Sequence, residues 1–275
     1  MRLLKQLGTA GLVALAGTFV VGLVDWNPPL TLVVGLATAV LSLLTYAWVV
    51  RRTERRTPVE VALQGAAGGI GRGILIGLAM FAAVIATIAF QGGYEVIGWG
   101  SATGALALFG FMAAASVTEE VIFRGILFRI IEGRVGTWGA LALTSALFGA
   151  MHLFNPHATV WSSLAIGIQA GAMLAAAYAA TRTLWVPIGV HFGWNFAGAG
   201  IFGTAVSGQS APDGLLDGAM SGPAAISGGE FGPEASLYSV AAGVALTIVF
   251  LWLAHRRGRL VAPRKRAAAA ATLVP

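Results

Sequence analysis

Residues Ser116–Phe128 read SVTEEVIFRGILF: Glu119, Glu120 and Arg124 set inside an otherwise apolar run. Residues 102–118 before them carry no charge, and Val121-Ile122-Phe123 and Ile126-Leu127-Phe128 continue the apolar character past them. The run therefore does not stop at the charges, as it would if they closed a helix in the lipid headgroups. A charge at bilayer depth costs ~2.5–3.5 kcal/mol on insertion scales, so such groups are kept for a purpose. A helix turns about 100° per residue, which puts Arg124 roughly 40° from Glu120 and roughly 140° from Glu119. Glu120 and Arg124 are thus an i,i+4 pair whose charges cancel locally, with the acid on the favourable N-terminal side. Glu119 points elsewhere and has no partner on its own helix, which leaves it available as a general base.

The surrounding chain is of the same kind. Of 275 residues, 57% are hydrophobic and 10% charged, with a mean hydropathy of +0.82. Soluble domains carry about 25% charged residues, so too little polar surface is left to keep a soluble fold in water. There is no cysteine, which excludes disulfides, thiolate metal sites and a cysteine nucleophile. Uncharged runs recur at Leu7–Val24, Leu30–Val50, Gly73–Gln91, Ala102–Thr118, Trp138–Met151, Trp161–Thr181, Leu184–Val190 continuing to Val206, and Ser236–Ala254. Most reach the ~18 residues of a membrane span. The expected fold is all-α: a polytopic bundle of about eight transmembrane helices, residues 1–275 forming one integral-membrane domain.

Charge placement sets the expected topology. With the N-terminus beside Arg2 and Lys5 in the cytoplasm, the cytoplasmic segments hold Arg51, Arg52, Arg55, Arg56, Arg72, Arg129, Arg134, Arg182 and the basic tail 256–275. The external segments 25–29, 92–101, 156–160 and 207–235 hold Asp and Glu but no Lys or Arg. This alternation follows the positive-inside rule and places both termini inside. The tail, with Arg256, Arg257, Arg259, Arg264, Lys265 and Arg266, suits anionic headgroups. No aromatic residues interleave its charges, so nucleic acid is not an expected partner. Residues 205–235, rich in Gly, Ala, Ser and Pro, read as a long external loop, partly re-entrant at most. The apolar run to Val24 makes the first span an uncleaved anchor, not a signal peptide.

Two more spans hold expensive polar groups. Phe148–His152 reads FGAMH and His191–Asn195 reads HFGWN, each placing two side chains one helical turn apart. His152, His191 and Asn195, with Glu119, are expected to share one polar cavity, since each would be costly alone in lipid. Pro187, four residues before His191, removes an intrahelical donor, and a kink there would open the backbone. Gly73/Gly77, Gly167/Gly171 and Gly189/Gly193 have the spacing that lets helices approach closely. Trp161, Trp185 and Trp194 read as interface or packing residues, and His157 and His255 carry no assigned role.

Together, Glu119-Glu120-xxx-Arg124, Phe148-xxx-His152 and His191-xxx-Asn195 resemble the ordered EExxxR, FxxxH and HxxxN or HxxxD motifs of the CPBP intramembrane proteases. That family includes type 2 CAAX prenyl endopeptidases and bacteriocin-processing or immunity proteins. The resemblance covers about residues 100–200, the motif core. It implies hydrolysis of a peptide bond in a membrane-embedded or lipid-anchored protein or peptide. By position, Glu119 would activate water, His152 would hold it, His191 and Asn195 would stabilise the oxyanion, and Glu120, Arg124 and Phe148 would support the site. No cofactor is expected; the alternative is zinc held by Glu119, His152 and His191, a donor set that zinc commonly uses, although no HExxH is present. The expected location is a prokaryotic plasma membrane. Two other functions compete: a proton-coupled transporter, because intramembrane Glu and His also relay protons, and a non-catalytic scaffold or immunity protein. A transporter site would be marked by Gly/Pro-broken helices in corresponding halves, which the sequence does not show.

Overall fold

The computed structural model describes residues 2–209 and 213–264 and is a helical membrane bundle. α1 (Arg2–Leu23), α2 (Pro28–Glu54) and α3 (Ala66–Phe90) come first. The Asn27 side chain caps α2 by accepting from the Leu30 amide, with Pro28 at the first helical position, where its missing donor costs nothing. A short strand, β1 (Tyr94–Trp99), leads to α4 (Ala102–Glu120), capped by Ser101, and α4 widens into π-helical turns over Val121–Phe128. α5 (Arg129–Met151) follows. α6 (Val160–Ile166) passes through π-helical turns at Gly167–Ala172 into α7 (Met173–Thr181). α8 (Trp185–Asn195) widens likewise over Phe196–Ile201. Strand β2 (Leu216–Met220), the short α9 (Ala224–Ser227) and α10 (Leu237–Arg256) complete the chain.

Among the described residues, six helices are long and apolar enough to cross a membrane. One of them covers Ala102–Phe154, 53 residues; at about 1.5 Å per residue it would run roughly 80 Å, far beyond a ~30 Å hydrocarbon core. Gly136 resolves this. Its φ of 78° and ψ of 173° break the helix between the fourth and fifth expected spans, and only glycine adopts such angles cheaply. Here the Val261 carbonyl accepts from the Thr137 amide, so the chain after α10 packs into the bend. The seventh expected span runs over Trp185–Ile201, just under the ~18 residues of the length criterion.

Burial is inverted relative to a soluble protein. Leu4, Phe19, Leu44, Leu75, Ile248 and Trp252 lie exposed on outer helices, whereas α7 and α8 are almost wholly buried at the centre. Polar contacts gather at the two ends. At the Arg-rich end, Arg129 forks onto Glu54 with bonds of 2.8 and 2.6 Å, Arg56 pairs with Glu54 and Glu60, and Arg182 pairs with Glu132. Partnership with these carboxylates holds the Arg56 guanidinium above its ordinary pKa against the opposing effect of desolvation. At the Arg-poor end, the Tyr94 hydroxyl donates to the Phe202 carbonyl and the Asn155 amide to the Ser207 carbonyl, each at 2.9 Å.

Two expectations need correction. The loops of the Arg-poor end are not purely irregular: β1 and β2 pair antiparallel, with a bulge between Val96 and Gly98. Backbone groups outside the helices need partners, and this two-stranded sheet supplies them. Pro187 does not kink its helix. It sits in the first turn of α8, after Leu184, where amides have no intrahelical acceptor to lose. Within the basic tail, Lys265 and Arg266 lie outside the described residues, as do 210–212 of the long loop.

Two of the glycine pairs, Gly73/Gly77 and Gly189/Gly193, act at the α3–α8 contact, and Gly167/Gly171 pack against Ser145 and Gly149 of α5. A Cβ added at Gly73 would meet the backbone of Val186, Gly189 and Val190; one at Gly193 would meet the backbone of Ile74. Gly193→Val should therefore force the helices apart. The expected cost is about 1–3 kcal/mol, the usual range for overpacking, read as a lower Tm in detergent. A Val at Gly11, where a Cβ meets nothing, should leave Tm unchanged.

Candidate active site

The site is built on a charge that must be neutralised. The Arg124 side chain is 2% exposed and Glu120 is fully buried, and Arg124 Nη1 donates to Glu120 Oε1 at 2.7 Å. Its Nη2 donates to the Ala170 and Gly171 carbonyls at 3.2 and 3.0 Å. Both carbonyls lie in the π-helical turns between α6 and α7, where the altered hydrogen-bond ladder leaves acceptors for a side chain. The guanidinium also lies 4.8 Å from the centre of the Phe148 ring, a favourable cation–π contact. One arginine thus ties α4 to α5 and to the α6–α7 helix.

The same carboxylate positions a histidine. His191 Nδ1 lies 3.0 Å from Glu120 Oε1. A carboxylate bonded to Arg124 can only accept here, so Nδ1 carries a proton and Nε2 faces the other way. That Nε2 is 3.9 Å from Glu119 Oε2. The Glu119 side chain is 35% exposed, yet Oε2 itself is buried with no hydrogen-bond partner. The two adjacent glutamates are thus differently employed: Glu120 is engaged through Oε1 by Arg124 and His191, its Oε2 lying buried without a partner, whereas Glu119 has an unengaged oxygen beside the His191 ring.

His152 caps the end of α5. Its Nδ1 is 2.7 Å from the Phe148 carbonyl, which can only accept, so Nδ1 is the protonated nitrogen and Nε2 keeps its lone pair. The two rings of the Phe148–His152 pair lie 4.7 Å apart, and Phe148 also packs against His191 at 6.2 Å. Phe148 thereby contacts Arg124, His152 and His191 at once.

His152, His191 and Asn195 line one small cavity of about 20 Å³, enough room for about one water molecule. Glu119 does not line it; it lies on the far edge of His191, so the expected four-residue cavity holds three of the four. The reason is the roughly 100° between successive helical residues, which sends Glu119 to the side of Glu120. The structure adds three polar wall residues that the sequence reading did not single out: Gln169, Ser207 and Glu234. Trp194, read as a packing residue, is also in the wall. Glu234 is 2% exposed and accepts from Trp194 Nε1 at 2.8 Å and from the Ser207 amide and hydroxyl. With three donors on its oxygens it is a clasp that holds the long loop over the cavity. It fits the role of a base less well than Glu119 does.

Among the described residues no group of three or more His, Asp or Glu side chains is gathered closely enough to hold a metal ion. Glu119 Oε2 lies 3.9 Å from His191 Nε2 but is not in the cavity wall that His152 and His191 share. His157 pairs with Glu230 at 3.2 Å on the exposed Arg-poor end, away from the cavity wall.

Comparison with known proteins bears on the same segment. Residues 99–197 match the family described as Type II CAAX prenyl endopeptidase Rce1-like. This span contains all three motifs. The chain is also 26% identical, over 171 residues, to "Putative membrane peptidase YdiL" of Bacillus subtilis (strain 168), a match covering 57% of this chain and 68% of that protein. No solved structure matches the chain significantly.

The geometry predicts different failures for the two glutamates. Glu120→Gln leaves Arg124 without a counter-charge in the bundle, and breaking a buried pair costs about 3–5 kcal/mol. It also loosens His191. The expected result is low yield and a lowered Tm in detergent. Adding Arg124→Gln should recover part of that Tm, because the uncompensated charge is gone. An unchanged Tm for Glu120→Gln alone would show that the pair does not carry this load.

Proposed function

We propose that this chain, whose residues 99–197 match the Rce1-like family model, is an intramembrane endopeptidase acting through water activated by Glu119. The observation that carries the proposal is the unengaged Glu119 oxygen, 3.9 Å from His191, beside a one-water cavity lined by His152, His191 and Asn195.

The proposed step runs as follows. Water donates to His152 Nε2, which is free because Nδ1 is bonded to Phe148, and the Glu119 carboxylate takes its proton. The oxygen then bonds to the carbonyl carbon, and the carbonyl electron pair moves onto its oxygen. His191, protonated on both nitrogens, donates Nδ1–H to Glu120 and Nε2–H to this oxyanion, with Asn195 as a second donor. Such preorganised donors supply much of the rate in acyl transfer. When the oxyanion collapses, the C–N bond breaks and the leaving nitrogen takes the proton from Glu119. The products are a carboxylic acid and an amine, and Glu119 is a carboxylate again. In this state Glu119, Glu120, His191 and Arg124 sum to zero charge, which limits the cost of holding them in the bundle.

The substrate proposed is a peptide segment of a membrane-embedded or lipid-anchored protein. The setting proposed is a prokaryotic plasma membrane, in line with the bacterial relative. The mechanism proposed needs no Lewis acid, and the scattered donor set supports that reading.

Two measurements test it. Glu119→Gln should keep the Tm of the wild type while abolishing cleavage of a membrane peptide by purified protein in liposomes. Activity should survive a chelator, and metal analysis of active protein should find no stoichiometric zinc. Loss of activity in chelator with recovery in Zn²⁺ would establish the zinc alternative instead.

A further inference from the structure

Gln169 is a buried polar side chain in the cavity wall that the proposed step leaves unused. It lies in the π-helical turns between α6 and α7, one residue before Ala170, whose carbonyl accepts from Arg124. The residue is 1% exposed. Neither its Nε2 nor its Oε1 has a hydrogen-bond partner in the protein. An amide buried this way without a partner is destabilising, and a low-dielectric interior raises the stakes. Gln169 lines the same cavity as His152, His191 and Asn195.

Its position is rigid. Across the bundle, a Cβ added at Gly243 of α10 would collide with the Cα and Cβ of Gln169, so the α10 backbone rests directly on this residue. On the other flank the backbone is fixed by Arg124 through Ala170 and Gly171. A side chain held at both flanks, buried and unpaired at both ends, is preorganised for a partner that enters the cavity. The partner must offer an acceptor to Nε2–H₂. A peptide carbonyl does so, and it offers a far stronger one once its oxygen carries charge.

We propose that Gln169 is a further catalytic residue, whose Nε2–H₂ donates to the carbonyl oxygen of the scissile peptide and holds it as it becomes negative. Oxyanion stabilisation is then shared among His191, Asn195 and Gln169. The inference rests on the peptidase reading, because it needs an acyl substrate in the cavity. It predicts that the unpaired amide is a cost carried for function, so the resting protein gains when the amide is removed.

The test uses full-length protein in detergent and liposomes, with Gln169→Leu and Gln169→Glu beside the wild type. Leu keeps the volume without polar atoms; Glu keeps the shape and acceptors but loses the donor. Gln169→Leu should match or exceed the wild-type Tm. Its kcat should fall about 100-fold, the effect of removing one such donor, with KM within about threefold, as expected for an interaction made mainly in the transition state. Gln169→Glu should be equally slow. A Gln169→Leu variant with kcat within about twofold of wild type, or with a Tm several degrees lower, overturns the proposal in favour of a structural role. A Gln169→Glu variant with near-normal kcat also overturns it.

A second readout needs no turnover. A peptidyl phosphonate presents a tetrahedral charged oxygen, and it should raise the Tm of wild type and of Glu119→Gln but not of Gln169→Leu. If wild type cleaves no peptide, the peptidase reading fails on that result. Phosphonate binding then still decides the fate of Gln169: a shift lost in Gln169→Leu upholds it as the anion's donor, and an equal shift, or none, in both proteins removes it.

Discussion

Arg124 is the constraint on which the bundle depends. A guanidinium does not lose its proton in a protein, so it must be neutralised wherever it is placed. Here its partners come from separate parts of the chain: Glu120 on α4, the Phe148 face on α5, and the Ala170 and Gly171 carbonyls between α6 and α7. Glu120 Oε1 then receives His191 from α8. Through Arg124 and His191, a single buried carboxylate oxygen therefore links the three helical segments that carry the motif residues and the turns between α6 and α7. Buried ion pairs are weak evidence for net stability, and fixing one arrangement over others is a better account of why such a pair is present.

The widened helical turns belong to the same economy. They follow Glu120 on α4, frame Gln169 between α6 and α7, and follow Asn195 on α8. In a regular α-helix each interior carbonyl already accepts from the amide four residues on, leaving a side chain only its second lone pair. A π-helical turn changes the ladder locally, and such turns are frequent at functional sites. In this molecule the turns at Gly167–Ala172 supply the acceptors that Arg124 needs. They occur where the bundle must place polar side chains without water to complete the backbone bonding.

Much of this was legible in the sequence because the key relations are local. Glu120 and Arg124 pair because they are four residues apart on one helix, and Phe148 and His152 stack for the same reason. The membrane bundle followed from apolar run lengths, and the double-length helix was foreseen as separate spans by the charges at 129–134. What was missed is non-local or was overlooked by type. Counting only ionisable groups passed over Gln169, although a lone amide in a run of Ala, Gly and Leu was a visible signal. Glu234 was read as a loop acid, because nothing local shows that Ser207 and Trp194 wait for it. Pro187 was read as a kink although the expected start at Leu184 already put it in the first helical turn, where proline is tolerated.

The glycine pairs, which looked like packing information alone, also orient the site. Gly189 and Gly193 lie on the face of α8 that meets α3, and the backbones of the two helices touch there. His191 and Asn195 each follow one of these glycines by two residues. At about 100° per residue they are turned roughly 200° away, toward the side opposite α3, and it is there that His191 meets Glu120. The rotation of α8 about its axis is thus fixed twice, by close approach on one face and by the Glu120 bond on the other. A small change of rotation would both lift the glycines off α3 and pull His191 from Glu120. Catalytic geometry in lipid, where no hydrophobic force sorts one helix face from another, is here held by glycines and a buried charge acting on opposite sides of one helix.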